Sequence, residues 1–263
     1  MRRRTVLVAL TVLAALLTGS PAGATPAQAD GGLDYVALGD SYSSGVGAPG
    51  VAGLCARSPQ GYPALWAASH PVTSFEDATC GGAQTEDVLA WQIDALDAGT
   101  DLVTVTIGGN DIGFADAMLT CTFGSYRSCE DTVDEGLGGT ELEDEVAPTF
   151  AAIRDAAPAA TIVVLGYPRL FEEPRYCGFG PPTYRKRVLL NDAADELNDR
   201  LAALATGAGL TYVDVRGTFA GHGICGADPW VNELSLSNLI GSFHPNAAGY
   251  RDGYLAALEA VIG

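Results

Sequence analysis

Tyr35-Val36-Ala37-Leu38-Gly39-Asp40-Ser41-Tyr42-Ser43-Ser44-Gly45 is the segment that sets the architecture. The apolar run 35–38 has the length and composition of a buried strand, and the small residues after it read as a strand-to-helix turn. Ser41 then sits near a helix amino end, where unpaired N–H groups favour developing negative charge. Further apolar runs at 72–75, 102–107, 161–165 and 210–213 read as strands. Between and after them, 85–96, 142–156, 184–205 and 246–262 carry helical periodicity. Strands alternating with helices predict an α/β fold, a parallel sheet in three layers. The Gly-rich, acidic stretch 115–139 reads as an insertion over the carboxyl edge of the sheet, where loops shape substrate access.

The amino end reads differently. Arg2, Arg3 and Arg4 precede an apolar stretch over 6–17 and then small residues, the three-part pattern of a secretory leader over 1–29. Ala22-Gly23-Ala24 and Ala27-Gln28-Ala29 are alternative cleavage sites. The arginine cluster leaves a twin-arginine route open, although export through the Sec pathway suits cysteines that oxidise afterwards. The apolar stretch is too short for a spanning helix. The remainder of the chain, 30–263, has no internal linker and is expected to form a single catalytic domain. The chain holds 14 basic and 32 acidic residues, and loss of the three leader arginines takes its net charge from −18 to −21. Such a surface repels phosphate backbones, which argues against nucleic acid or an anionic membrane as the main partner. Six cysteines, Cys55, Cys80, Cys121, Cys129, Cys177 and Cys225, suit an oxidising compartment. No Cys-x-x-Cys pair occurs, and spacing alone does not choose among the possible pairings, although Cys121 and Cys129 suggest a local loop.

Two later segments join the first. Ile107-Gly108-Gly109-Asn110-Asp111 ends an apolar run, and Ser242-Phe243-His244-Pro245-Asn246 lies near the carboxyl end. A serine hydroxyl needs a base, and histidine is the side chain best tuned for that near neutral pH. There are three histidines. His70 precedes a proline before a strand and His222 sits in a Gly-His-Gly loop, both settings in which histidine is usually structural. With the Gly-Asp-Ser turn, the two segments resemble the ordered blocks of the SGNH (GDSL-type) esterase/lipase superfamily. The likeness runs from about Asp34 to the end, and Gly221-His222-Gly223-Ile224-Cys225 with Asp228-Pro229-Trp230 resembles a secreted, lipase-like subgroup.

The resemblance implies a sheet of five strands in order 2-1-3-4-5, with the substrate crevice between the first and third, so that Ser41 and Asn110 both reach it. It implies Ser41 as nucleophile, His244 as base, and an oxyanion hole made by the N–H of Ser41, the N–H of Gly82 in Cys80-Gly81-Gly82-Ala83, and the side chain of Asn110. Gly81-Gly82 also reads as a turn beside a disulfide, and Asn110-Asp111 as a helix cap. Sequential pairing of the cysteines, 55 with 80, 121 with 129 and 177 with 225, is implied as well. One position departs from the pattern. Many members carry Asp three residues before the histidine, where this chain has Gly241. A main-chain carbonyl of Gly241 or Ser242 is the expected substitute, making a Ser-His dyad, with Asp228 and Glu233 left as possible acids. Asp40 reads as holding its turn.

Nothing in the sequence demands a cofactor or metal, and no Gly-x-Ser-x-Gly elbow appears. The expected function is a secreted, extracellular, monomeric serine esterase or lipase acting on lipid or short-chain acyl esters. A carbohydrate acetyl esterase and a non-catalytic binding protein are the alternatives. Tyr42, Val46, Ile112, Phe114 and Phe243 flank the motifs as candidates for the acyl pocket or for the core.

Overall fold

In the computed structural model, which describes residues 31–178, 180 and 182–263, the apolar runs align as one parallel sheet. The leader expected over 1–29 lies outside the described residues. Strands β1 (Leu33–Gly39), β2 (Val72–Asp77), β3 (Leu102–Thr106), β4 (Thr161–Leu165) and β5 (Thr211–Val213) pair in the order β2-β1-β3-β4-β5. Every residue of β3 and all but the first of β4 are buried, because a parallel sheet is covered by helices on both faces. The covering helices are α1 (Ser41–Ser44), α2 (Tyr62–Ser69), α3 (Thr85–Ala90), α4 (Phe114–Phe123), α5 (Tyr126–Leu137), α6 (Glu141–Ala156), α7 (Tyr184–Gly207) and α8 (Ala256–Ile262).

Four elements depart from the sequence reading, each for a visible reason. Helix α2 begins with proline in its first turn, where the missing N–H costs nothing. The helix expected over 85–96 breaks at Trp91 into α3 and a 3₁₀ turn, Gln92–Ala95, which turns the Gln92 amide into the core. Residues expected as an insertion loop form α4 and α5 instead. In α5 the buried Cys129, Val133 and Leu137 recur at helical spacing, and the bridge from Cys121 to Cys129 ties the pair together. Buried Lys186 of α7 completes this unit, donating from Nζ to the carbonyls of Cys121 (2.8 Å) and Gly124 (2.6 Å) at the end of α4. The closing helix opens into a wide π-type turn, Gly249–Leu255, before α8. Phe219 packs against this turn so closely that a Cβ on Gly253 would lie 2.3 Å from its ring.

Candidate active site

The Ser41 turn is built from the end of β1. Gly39 pairs with Thr106 at the end of the strand and has φ +116, and an added Cβ would lie 2.2 Å from the Thr106 carbonyl oxygen, so only glycine fits. The buried Gln92 amide clasps it, accepting from Gly39 N–H at 2.6 Å and donating to its carbonyl at 3.0 Å. The next residue, Asp40, caps α1 by accepting from the Tyr42 N–H at 2.8 Å, and its other oxygen accepts the Tyr167 hydroxyl at 2.6 Å. Burial pushes this carboxyl up to about 7, against the lowering effect of those hydrogen bonds. Asp40 therefore holds the turn that presents Ser41, and makes no bond to His244.

His244 arrives from the opposite end of the chain. Phe243 before it is held at φ 63, a region that costs a non-glycine residue roughly 1–2 kcal/mol. Two bonds hold it there: its N–H donates to the Asn232 carbonyl at 2.9 Å and its own carbonyl accepts the Tyr42 hydroxyl at 2.7 Å. His244 Nε2 lies 2.8 Å from Ser41 Oγ, and Nδ1 lies 2.9 Å from the Ser242 carbonyl. A carbonyl only accepts, so Nδ1 carries the proton and Nε2 is free to take one from the hydroxyl. Burial lowers the imidazole from 6.5 to about 4, so the ring is neutral at pH 7.

The carbonyl that faces His244 Nδ1 is that of Ser242, not that of Gly241. The Gly241 carbonyl is occupied by the Asn232 amide at 3.2 Å and the His244 N–H at 3.4 Å. Among the described residues no carboxylate pairs with the His244 ring. Asp228 instead lies beside His222, whose Nδ1 donates to the Asp228 carbonyl at 2.8 Å while the ring stacks on Trp230. His70 likewise stacks on Trp66.

Gly82 and Asn110 are brought together on the other side. The bridge from Cys55 to Cys80 and the bonds of Gly81 N–H to Cys55 (2.8 Å) and Ala83 N–H to Cys80 (3.0 Å) fix both flanks of Gly82. Gly82 has φ +84 and open space where a Cβ would stand, and no acceptor among the described residues takes its N–H. The Asn110 amide donates one hydrogen to the Ala83 carbonyl at 2.9 Å, and its backbone carbonyl accepts from Gln84 Nε2 at 3.2 Å. One amide hydrogen of Asn110 stays available. Helix capping falls to its neighbour, since Asp111 accepts the Thr85 N–H at 2.9 Å at the start of α3.

Tyr167 couples the two sides, because its hydroxyl accepts the Gly109 N–H at 3.0 Å while donating to Asp40. Sequence reading missed it. Its signal was position, directly after the β4 run, where doubly wound folds place their site. Asn232, which clamps both Gly47 and Gly241, had no signal, since it acts only through contacts with distant backbone.

Beside this cluster lies an apolar cavity of about 50 Å³, bordered by Tyr42, Ile112, Phe114, Met118, Leu190 and Leu197. Val46 and Phe243 are buried but do not line it. The remaining cysteines, Cys177 and Cys225, are bridged and lie away from the cavity.

Known proteins share this fold and much of this sequence. The model of the GDSL-like Lipase/Acylhydrolase family matches residues 37–251. The chain belongs to that family. It is thereby a carboxylic ester hydrolase of the SGNH fold. Lipase 1 of Streptomyces coelicolor is 45% identical over 254 residues, covering 94% of this chain and 93% of that protein. The crystal structure of an extracellular lipase from Streptomyces rimosus superposes with a TM-score of 0.83 at 44% identity, covering 87% of this chain and 99% of that one. A phospholipase A1 from Streptomyces albidoflavus superposes with a TM-score of 0.84 at 42% identity and the same coverage. No described helix of this family member is long and apolar enough to cross a membrane.

Proposed function

We propose that this family member is a secreted serine esterase or lipase that cleaves lipid or short-chain acyl esters through an acyl-enzyme. The observation that carries the reading is the run Ser41 Oγ, His244 Nε2, His244 Nδ1, Ser242 carbonyl, each step within hydrogen-bonding distance. Ser41 attacks the ester carbonyl as its proton passes to Nε2. The Nδ1–H stays on the Ser242 carbonyl and stabilises the imidazolium, which returns the proton to the leaving alcohol. Water then repeats the sequence on the acyl-enzyme and frees the acid. The Ser41 N–H, the Gly82 N–H and the free amide hydrogen of Asn110 serve the oxyanion. Tyr42, Ile112 and Phe114 receive the acyl chain in the apolar cavity. Removal of residues 1–29 leaves a single catalytic domain, 30–263, acting as a monomer, and the three bridges and the extracellular relative support export.

A fluorophosphonate probe followed by peptide mapping tests the reading, with labelling expected at Ser41. An unlabelled, folded protein would move it to the binding-protein alternative. The small cavity also accommodates an acetyl group, so p-nitrophenyl esters of rising chain length should be compared with an acetylated xylooligosaccharide. A maximum on the sugar ester would make this a carbohydrate esterase.

Asn110→Ala should lower kcat by about 10²- to 10³-fold with little change in KM, because the donor acts on charge that develops only in the transition state. Steady-state kinetics on a soluble ester reads this, and a change confined to KM would make Asn110 a substrate-binding residue.

A further inference from the structure

Two of the oxyanion donors named above stand on loops that follow different strands, Ser41 after β1 and Asn110 after β3. Such donors act only if they converge on one oxygen at about 2.7–3.1 Å, so the separation of the two loops has to be held tightly. At the edge of the sheet the Thr106 N–H ties them by donating to Ser43 Oγ at 3.0 Å. Closer to the site a single oxygen spans them. Tyr167 Oη donates to Asp40 Oδ2 at 2.6 Å and accepts the Gly109 N–H at 3.0 Å. Asp40 is the residue before Ser41, and Gly109 is the residue before Asn110.

That oxygen is itself a fixed point. The main chain of Tyr167 is clasped by the buried Asn198 amide of α7: the Tyr167 N–H donates to Asn198 Oδ1 at 2.8 Å, and Asn198 Nδ2 donates to the Tyr167 carbonyl at 2.9 Å. The Tyr212 hydroxyl donates to the same Asn198 Oδ1 at 2.7 Å, and the Tyr254 hydroxyl donates to the Gly166 carbonyl at 2.8 Å. The Tyr167 ring is buried and meets that of Tyr42 edge to face at 5.1 Å. On the Asn110 side, a Cβ added to Gly109 would stand 3.1 Å from Tyr167 Cζ and Oη, so a side chain there would press on the ring. Burial, and then the Asp40 carboxyl beside it, pushes the phenol well above its ordinary value. The hydroxyl thus keeps the proton it donates to Asp40 and offers a lone pair to Gly109.

We infer that Tyr167 is a positioning residue for ester hydrolysis, whose hydroxyl sets the separation of the Ser41 turn from the Asn110 loop and so aims the Asn110 amide at the oxyanion. The inference rests on the hydrolase reading above and adds a residue that acts through Asn110. The Tyr167 ring also borders the apolar cavity beside Tyr42 and Gly109, so ring and hydroxyl have separable duties.

Tyr167→Phe keeps the ring and deletes the hydroxyl. On a soluble p-nitrophenyl ester it should lower kcat by about 10- to 10²-fold and change KM by less than about 2-fold, because a misplaced donor weakens binding of the transition state and not of the ground state. The deciding readout is a double-mutant cycle with Asn110→Ala. Once the amide is gone there is nothing left to aim, and Tyr167→Phe should then cost less than about 3-fold. Losses that multiply would mean a general loosening of the fold and overturn the inference, as would an unchanged kcat or a loss confined to KM. An Asn110→Ala variant as active as wild type overturns it too.

Should Tyr167→Phe fail to fold, p-aminophenylalanine in place of Tyr167 carries the test. Its amine donates to Asp40 but accepts poorly from the Gly109 N–H, so kcat should fall by about 3- to 10-fold, and that loss should vanish in Asn110→Ala. Full activity of this variant overturns the inference. A wild-type chain that hydrolyses no ester sinks the hydrolase reading and this one together, whereas an active wild type with an unaltered Tyr167→Phe sinks this one alone.

Discussion

Ser41→Ala should lower kcat on a soluble ester by at least about 10³-fold while the protein keeps its fold. The hydroxyl removed sits 2.8 Å from His244 Nε2 and holds no other structural bond among those of the turn, which rests on Asp40, Gln92 and Gly39. Thermal unfolding should therefore be little altered. The residual rate would come from binding and from the oxyanion donors acting on water. Retained activity in a folded Ser41→Ala variant, measured after purification free of host esterases, would end the nucleophile assignment.

His244→Ala should be nearly as damaging, because without a base the Ser41 hydroxyl stays protonated and a poor nucleophile. Asp228→Ala and Glu233→Ala should each cost less than about 10-fold in kcat/KM, or about 1.4 kcal/mol, because among the described residues no carboxylate pairs with the ring and a backbone carbonyl fixes its tautomer. An acid as indispensable as His244, in a folded variant, would replace the dyad by a triad. The pH profile supplies a second reading. Only neutral His244 accepts the proton, and burial holds its pKa down to about 4, so kcat/KM should stay level as pH falls from 7 to about 5 and decline below that. An acid limb centred near 6.5 that persists in a folded Asp40→Asn variant, and so does not come from the carboxyl that burial pushes up to about 7, would show the ring to be ordinarily solvated. The fold feels the same depression. Unfolded imidazole binds a proton that the folded site refuses, so stability present above 6.5 is lost as pH falls toward 4.

Much of the architecture was legible because parallel strands buried on both faces are short continuous apolar runs, as in 102–106 and 161–165. Helices α6 and α7 showed through their periodicity for the same short-range reason. The pair α4 and α5 did not, because Gly124, Gly136, Gly138 and Gly139 mark the stretch as loop while its helicity depends on a disulfide, on Lys186 and on packing against α7. Gln92, whose amide turns into the core, and Phe219, whose ring sits against Gly253, stand at two of the other differences.

For the site, residue order alone established which residue types stand after which strand: Ser41 beyond β1, Asn110 beyond β3, His244 before the last helix. Local composition and strand order are enough for that, because a doubly wound sheet sends every strand-end loop to one edge. Residue order does not say what each group bonds to. Ser41 and His244 are 203 positions apart, and whether the ring meets the carbonyl of Gly241, that of Ser242 or an acid is a matter of ångströms set by Asn232, Tyr42 and a strained Phe243. The same holds for Tyr167 reaching Asp40 and for Asn110 reaching Ala83. Those choices belong to the folded chain, because hydrogen bonds between remote segments depend on distance and direction, which the order of residues does not encode locally.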